Sequence, residues 1–395
     1  MKKTIEDVAW AGKTALVRCD FNVPLDDTKH ITDDSRIRAA LPTIEYLLSK
    51  GAKVVLMSHL GRPKGEAKAE YSLAPVADRL GELLGMEVCF ADSPRVVDEK
   101  VRKCIQSKGA GDLILLQNVR YRKEEEENDR NFAEDLASLA DVFVQEAFGT
   151  AHRAHASTAG VAAFLPAVSG YLIEKEVKYL GQVMENPRHP FVAVLGGAKV
   201  KDKIPVIRKL IDKVDTVLIG GGMTFTFYKA MGLSVGTSIV DEESIEIADR
   251  IIKRATEKGI KLLLPVDIVC ASEFSNEAAW KVYPYDKMPD GMMGLDIGPE
   301  TASRYRDVLL KAATVIWNGP MGVFEFDTFA RGTEKIAEAM ADSKAVTIVG
   351  GGDSAAAVKK LGFEDKITHI STGGGASLKL IEGSELPGLA VIEEK

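Results

Sequence analysis

Residues 346–361 read VTIVGGGDSAAAVKKL. A β-branched apolar run, three glycines, an aspartate and an alanine-rich amphipathic stretch predict a buried strand, a tight turn and a helix start. Glycine lets backbone N–H groups come close to an anion, and the helix N-terminus that follows adds a favourable field. The lysine of a P-loop is missing, and Asp353 stands at the helix entrance. Glycine clusters end three other apolar runs: FVAVLGG (191–197), TVLIGGG (216–222) and THISTGGG (368–375). One such cluster reads equally well as a simple turn, whereas four at equivalent sheet positions point to a nucleotide site.

Working outward, KLLLPVD (261–267) and TVIWNGP (314–320) complete six strand-like runs in the second half. The first half has TALVRCD (14–20), KVVLMSH (53–59), DLILLQN (112–118) and DVFVQEAF (141–148). Amphipathic helical stretches alternate with them, among them RIRAALPTIEYLLSK, with Asp34 or Ser35 as cap and Gly51 as stop, and DEESIEIADRIIKRATEK, ending at Gly259. The expected fold class is α/β, with two doubly wound parallel-sheet, Rossmann-like domains joined by a connecting helix and separated by an interdomain cleft. The charged stretch GYLIEKEVKYLGQVMENPRHP (170–190) suits that helix, which divides the chain into domains at 1–170 and 171–379.

Length agrees, since 395 residues exceed one ordinary core. A net charge of −7 argues against a general nucleic-acid or anionic-membrane surface, so any anion site must be concentrated. Cys19, Cys89, Cys104 and Cys270 form no C-x-x-C, suggest neither a disulfide framework nor a zinc site, and fit a reducing cytoplasm. The N-terminus reaches Glu6 and Asp7 before any apolar run, unlike a signal peptide. The charge-poor stretch 154–173 carries histidine, glycine and proline and is expected to be a buried loop and short helix rather than a membrane span, although Arg153 sits just before it.

Ligands in open α/β sheets bind beyond the carboxyl ends of strands. In the first half those ends carry Arg18, Asp20, Asn22, His59, Arg62, Asn118 and Arg120, with Arg36, Arg38 and Arg153 nearby in sequence. This suits a small anion bearing carboxylate and phosphate, which guanidinium groups bind bidentately. In the second half they carry glycines with Lys199, Lys203 and Asp353, which suits polyphosphate and metal. Lys199 and Lys203 are spaced to share one face of a helix, if one begins there. Asp353 reads as a helix N-cap or as a Mg²⁺ anchor, and the two roles are compatible. AGKT (11–14) fails as a P-loop because it precedes a strand. GGGDSA (350–355) fails as a dinucleotide fingerprint because Ser371 and Thr372 stand where a ribose-binding acid belongs. HRAH (152–155) lacks a third metal ligand. No nucleophile-and-base constellation appears, which is consistent with direct phosphoryl transfer. A dinucleotide-dependent dehydrogenase and a non-enzymatic nucleotide sensor are the alternatives.

RCDFNVPL (18–25), SHLGRP (58–63), NVRY (118–121), FGTAHRAHAST (148–158), LGGAKVKDKI (195–204), IGGGMTFTF (219–227), GLDIGP (294–299), WNGPMGVFE (317–325), VGGGDSAAA (349–357) and STGGGASL (371–378) together closely resemble the phosphoglycerate kinase family, in order and over essentially the whole chain. The resemblance implies a monomeric, cytoplasmic glycolytic kinase that interconverts 1,3-bisphosphoglycerate plus ADP with 3-phosphoglycerate plus ATP, using Mg²⁺, with no nucleic-acid or membrane partner. It implies that Asp20, Phe21, Asn22, Arg36, His59, Leu60, Gly61, Arg62, Arg120 and Arg153 bind the glycerate substrate. It assigns the nucleotide to Lys203, Gly220, Gly221, Gly294, Glu325, Gly351, Gly352, Asp353 and Ser354, with Asp353 as metal ligand. Arg36, Lys199, Gly352 and Gly375 resemble the groups that stabilise the transferring phosphoryl, and residues 380–395 are expected to pack back on the first domain. Small departures are Gln117 where glutamate is expected, Tyr121 for phenylalanine, and Lys201 between the two phosphate-binding lysines.

Overall fold

A computed structural model describes residues 2–395. The chain divides into two compact units, one running to Lys178 and completed by Glu385–Lys395, the other spanning Tyr179–Ser384.

Unit 1 is built on six parallel strands: β1 (Thr14–Arg18), β2 (Lys53–Met57), β3 (Val88–Ala91), β4 (Leu113–Leu116), β5 (Val142–Gln145) and β6 (Ala167–Ser169), in the order β3-β4-β2-β1-β5-β6. Side chains alternate along β1 between two cores. Ala15 and Val17 pack with Ile37, Ile44 and Leu47 of the helix Ser35–Ser49, while Leu16 packs with Val55, Met57 and Phe143 on the other face. Burial on both faces is what makes these strands read as continuous apolar runs. The strand order reverses between β1 and β5, so a ligand site is expected beyond Arg18 and Gln145.

Unit 2 carries a second parallel sheet. Its strands are β7 (Phe191–Leu195), β8 (Thr216–Ile219), β9 (Lys261–Leu263), β13 (Thr314–Asn318), β14 (Val346–Gly350) and β15 (His369–Ile370), ordered β15-β14-β13-β7-β8-β9. These are the six glycine-ended and apolar runs of the sequence. A small antiparallel sheet adds β10 (Asp267–Ala271), β11 (Trp280–Pro284) and β12 (Met293–Ile297), in the order β11-β10-β12.

Several expectations need correction. KLLLPVD is not one strand: β9 stops at Leu263, Pro265 has no N–H to extend a ladder, and Thr301 Oγ1 takes the N–H groups of Val266 and Asp267 as the chain turns into β10. β3 and β6 were not foreseen, β3 because it is a four-residue edge strand and β6 because it lies inside the charge-poor stretch 154–173. Asp34 occupies the N-cap position of the helix Ser35–Ser49 but accepts no cap hydrogen bond. Its carboxylate instead takes Arg38 Nε at 2.9 Å and Arg79 Nη2 at 2.8 Å. No helix of the described residues is long and apolar enough to cross a membrane.

The last residues complete unit 1. Lys3 N donates to Glu393 O at 2.7 Å, Glu393 N donates to Ala167 O at 3.1 Å, and Gly388 N donates to Ala151 O at 2.8 Å. The stretch 171–185 is helical, Tyr171–Glu176 and Gln182–Glu185 flanking a π-helical turn at Val177–Gly181.

Candidate active site

In unit 1 the charged side chains gather at the carboxyl ends of β1 and β2. Arg18 ends β1 and is fully buried. Its Nε donates to Ser157 Oγ at 2.7 Å, its Nη1 donates to Cys19 O, and its Nη2 lies 3.3 Å from His59 Nδ1. Ser157 passes the contact on, its Oγ donating to Glu125 Oε1 at 2.6 Å and its N to Glu125 Oε2 at 2.9 Å. Burial pushes the Glu125 carboxyl up, against the pull of Arg18. The sequence places Arg18 among the strand-end groups suited to a small anion, whereas it is buried beneath them, and Glu125 carries no signal within a run of four glutamates.

Around this support stand the expected substrate residues. Arg36 Nη1 lies 2.6 Å from Asp20 Oδ2. Asn22 Oδ1 accepts from Gly61 N at 2.8 Å. Arg120 Nη1 donates to Gly61 O at 2.9 Å, and Asn118 Oδ1 fixes the Arg120 backbone N–H at 3.0 Å. The Arg120 Nε is buried without a hydrogen bond. His59 is buried, and its pKa falls well below the usual histidine value through burial and then through Arg18, Arg120, Arg36 and Arg153. Four guanidinium groups therefore act on one neutral imidazole. Phe21 and Leu60 point into the protein, and Phe21 N is already bound to Ser58 Oγ at 2.9 Å, so their side chains frame the site. Arg62 is exposed and makes no hydrogen bond or ion pair with another described residue. Arg38 is exposed and engaged with Asp34.

His155 belongs to the same cluster. Its Nδ1 is 3.7 Å from Glu125, which favours the imidazolium, but burial and the guanidinium groups of Arg120, Arg18 and Arg153 outweigh it and bring the pKa down to about 4. A histidine lowered on folding is neutral in the folded chain while the unfolded chain takes up a proton below its ordinary value near 6.5, so stability is lost as pH falls through that window. We expect wild type to lose stability relative to His155→Gln between pH 6.5 and pH 4, by on the order of 3 kcal/mol at full extent. Paired urea titrations across that range check this, and parallel pH profiles would remove His155 as the cause.

Gln117 has a physical reason to be an amide. Its Oε1 accepts from Leu73 N at 3.0 Å and Asn118 N at 2.9 Å, while Nε2 donates to Ser72 Oγ and to Asp92 Oδ1, each at 3.0 Å. A glutamate would keep the two acceptor bonds but set a carboxylate oxygen against Asp92. Gln117→Glu should destabilise unit 1 by about 1–3 kcal/mol at pH 7, and adding Asp92→Asn should restore most of the loss. A double-mutant cycle by denaturant unfolding measures the coupling, and additive effects would contradict it.

In unit 2 a cavity of about 490 Å³ opens beside the glycine turns. Phe225, Ile268, Met293, Leu295, Met321 and Val323 give it apolar walls, and Gly294, Glu325 and Asp353 also line it. At Gly294 a side chain would run into the Phe225 ring, its Cβ falling 2.2 Å from Cζ. The turns at 196–197, 220–222 and 319–321 are laid edge to edge: a Cβ on Gly221 would sit 2.6 Å from Gly197 N, and one on Gly319 would sit 2.2 Å from Gly196 O. Their N–H groups are used internally, Gly197 N donating to Pro320 O at 3.0 Å and Gly221 N to Met321 O at 2.9 Å. Glycine is needed at Gly221 and Gly319 for this close backbone approach. Gly221 lines the cavity, whereas Gly220 turns toward Met321.

The turns at 350–352 and 373–375 are different. Gly351, with φ +93°, is the N-cap of the helix Gly352–Lys360, and Gly374, with φ +50°, is that of the helix Gly375–Ile381; neither helix has a side-chain cap. The capping reading of Asp353 is thus corrected, since it lies within the first turn and caps nothing. β14 and β15 pair side by side, with Ser371 N bound to Val349 O at 2.8 Å, so the two uncapped helix starts follow neighbouring strands. Ser354, by contrast, is buried and its Oγ accepts from Gly319 N at 2.6 Å, a structural bond across to the β13 turn.

Lys203 Nζ donates to Asn318 Oδ1, and Asn318 Nδ2 donates to Gly350 O at 2.9 Å, which fixes the ammonium at the reversal point between β7 and β13. Burial lowers its pKa, with Asp202 and Asp353 pulling the other way. The expected helix carrying both lysines does not form: a 3₁₀ turn, Lys201–Lys203, precedes a helix that starts at Ile204, where Pro205 suits the first turn. Lys199 lies before both, exposed and with no partner among the described residues. Lys201 is turned to Glu243 at 3.2 Å. Asp353 makes no hydrogen bond within the described residues, and no cluster of three or more potential ligands exists among them. A lone carboxylate beside uncapped helix starts fits a Mg²⁺ ion that keeps phosphate oxygens and waters as its other ligands.

Comparison with known proteins follows the same line. A family model described as phosphoglycerate kinase matches residues 5–384. A phosphoglycerate kinase of Clostridium botulinum (strain Langeland) is 59% identical over 395 residues, covering 100% of this chain and 99% of the relative. One of Clostridium tetani is 58% identical, covering 100% and 98%. Among solved structures, phosphoglycerate kinase from Coxiella burnetii superposes with a TM-score of 0.90 at 41% identity, covering 99% of each chain. The enzyme from Pyrococcus horikoshii superposes with a TM-score of 0.87 at 34% identity, covering 99% and 98%.

Proposed function

The chain belongs to the phosphoglycerate kinase family and is a phosphotransferase, and from this premise we propose that it transfers a phosphoryl group reversibly between 1,3-bisphosphoglycerate and ADP, as a cytoplasmic, monomeric, Mg²⁺-dependent enzyme of glycolysis and gluconeogenesis. The observation that carries this reading is the division of chemistry between the two units: a guanidinium cluster at the strand ends of one, and an apolar cavity with a half-buried lysine and uncapped helix starts in the other.

In this reading Arg120, Arg153 and Arg62 take the glycerate phosphate, while Asp20 and Asn22 orient the glycerate hydroxyl and carboxyl groups. His59 is neutral and contributes a hydrogen bond rather than a charge. The cavity walls take the adenine, and Glu325 at the rim takes the ribose. Lys203 and the N–H groups of 351–353 hold the phosphate chain. Asp353 would hold Mg²⁺, which would supply positive charge to offset that of the phosphate chain. Arg36, Lys199 and the N–H groups of Gly352 and Gly375 stabilise charge spread over the three oxygens of the phosphoryl group in flight, the part of such reactions where the protein contributes most. No base or covalent intermediate is required.

Because donor and acceptor sites belong to separate units, in-line transfer requires the units to close and exclude water. A coupled assay of ATP-dependent 3-phosphoglycerate consumption tests the activity, and inactivity of correctly folded protein overturns it. Small-angle scattering should report a smaller radius of gyration with both substrates than with neither, and an unchanged radius would contradict closure.

A further inference from the structure

One side-chain pair has no part in either site. Cys89 lies in the edge strand β3 and Cys104 on the helix Glu99–Gln106, and their sulfur atoms are 3.0 Å apart, one thiol donating to the other. Both are half-buried, whereas Cys19 and Cys270 are buried. A disulfide needs the sulfurs to close to about 2.05 Å, so bond formation asks for a movement of only about 1 Å. We propose that Cys89 and Cys104 form a reversible dithiol–disulfide couple, a covalent modification site whose two-electron oxidant is a small or protein disulfide.

Two thiol–disulfide exchanges make the bond, here with Cys104 attacking first; the opposite order balances equally, since the two sulfurs are 3.0 Å apart and both half-buried. Cys104 loses its proton to solvent, and the thiolate attacks one sulfur of the oxidant, forming a mixed disulfide and expelling one thiolate. Cys89 then loses its proton and attacks the Cys104 sulfur, forming the intramolecular bond and expelling the second thiolate. The pair has given up two protons and two electrons, and the oxidant has become two thiols. A dithiol reductant reverses both steps.

The bond would tie the edge strand to its helix across 15 positions of sequence. The loop it closes contains Asp92, which takes the Gln117 amide, and Val96, held at φ +64°. Oxidation therefore braces the segment that positions Gln117, the residue before Asn118.

The test uses the native, full-length chain equilibrated in mixtures of oxidised and reduced glutathione, acid-quenched, alkylated in denaturant and analysed by mass spectrometry. In the oxidising mixtures two of the four cysteines should resist alkylation, with one disulfide-linked peptide pair containing Cys89 and Cys104, and dithiothreitol should return all four. The midpoint of thermal unfolding should rise on oxidation in wild type and not in Cys104→Ser. If all four thiols remain reactive, or oxidation stops at separate glutathione adducts on Cys89 or Cys104, the couple does not exist. The wild-type result decides the matter even where the serine variant fails to fold.

Discussion

Replacing Arg36 by alanine should lower kcat by about 10²- to 10³-fold while leaving nucleotide affinity close to wild type. Arg36 sits in the first turn of the helix Ser35–Ser49 and is held by Asp20 at 2.6 Å, with its side chain still partly open to solvent. A guanidinium restrained at one nitrogen keeps donors free for the phosphoryl oxygens, and the carboxylate pre-orients it before the transition state forms. Steady-state kinetics with a separate titration of ADP binding resolve the two quantities. A normal kcat would remove Arg36 from the chemistry. Arg36→Lys should recover only part of the loss, because a point charge cannot reproduce the planar fork that both Asp20 and a phosphoryl group can share.

The second large effect is on stability. Arg18→Met should cost unit 1 about 3–5 kcal/mol, because the change leaves Glu125 buried without its compensating cation. The pH dependence has a definite sign. Glu125 already has a raised folded pKa, and without Arg18 it rises further, so its contribution is present at low pH and is lost as pH rises through the folded value. The penalty should grow from pH 5 to pH 8 in denaturant titrations. Arg18→Met with Glu125→Gln should recover a substantial share, and a penalty independent of pH would show that packing rather than charge is lost.

Arg18 also shows how far the sequence could be read. Its place at the end of β1 was legible from periodicity, but that it lies buried under the site while Arg62 stands exposed depends on Ser157 and Glu125, which are brought to it from distant parts of the chain. The parallel α/β architecture was legible for a related reason: strands buried on both faces write themselves as apolar runs, as β7, β8, β13 and β14 of unit 2 do. Those of the antiparallel sheet were not legible, because β11 is half-exposed and β10 follows β9 after only three residues. Glycine clusters were legible as a set but not by role. Gly197 of VLGG and Gly221 of LIGGG spend their N–H groups on the carbonyls of Pro320 and Met321, whereas Gly351 and Gly374 stand at uncapped helix starts, and that difference is a matter of tertiary neighbours. Asp34 and Asp353 both looked like helix caps by type and position. One is claimed by Arg38 and Arg79, and the other stands free at the cavity.

The way the last residues of the chain complete unit 1 bears on how the protein is made. Lys3 and Ala167 wait for Glu393, and Ala151 waits for Gly388. On the ribosome all of unit 2, residues 179–384, emerges before those partners exist. The half synthesised first is therefore the half that finishes last, its seam at Lys3, Ala151 and Ala167 unfilled until residues 385–395 follow.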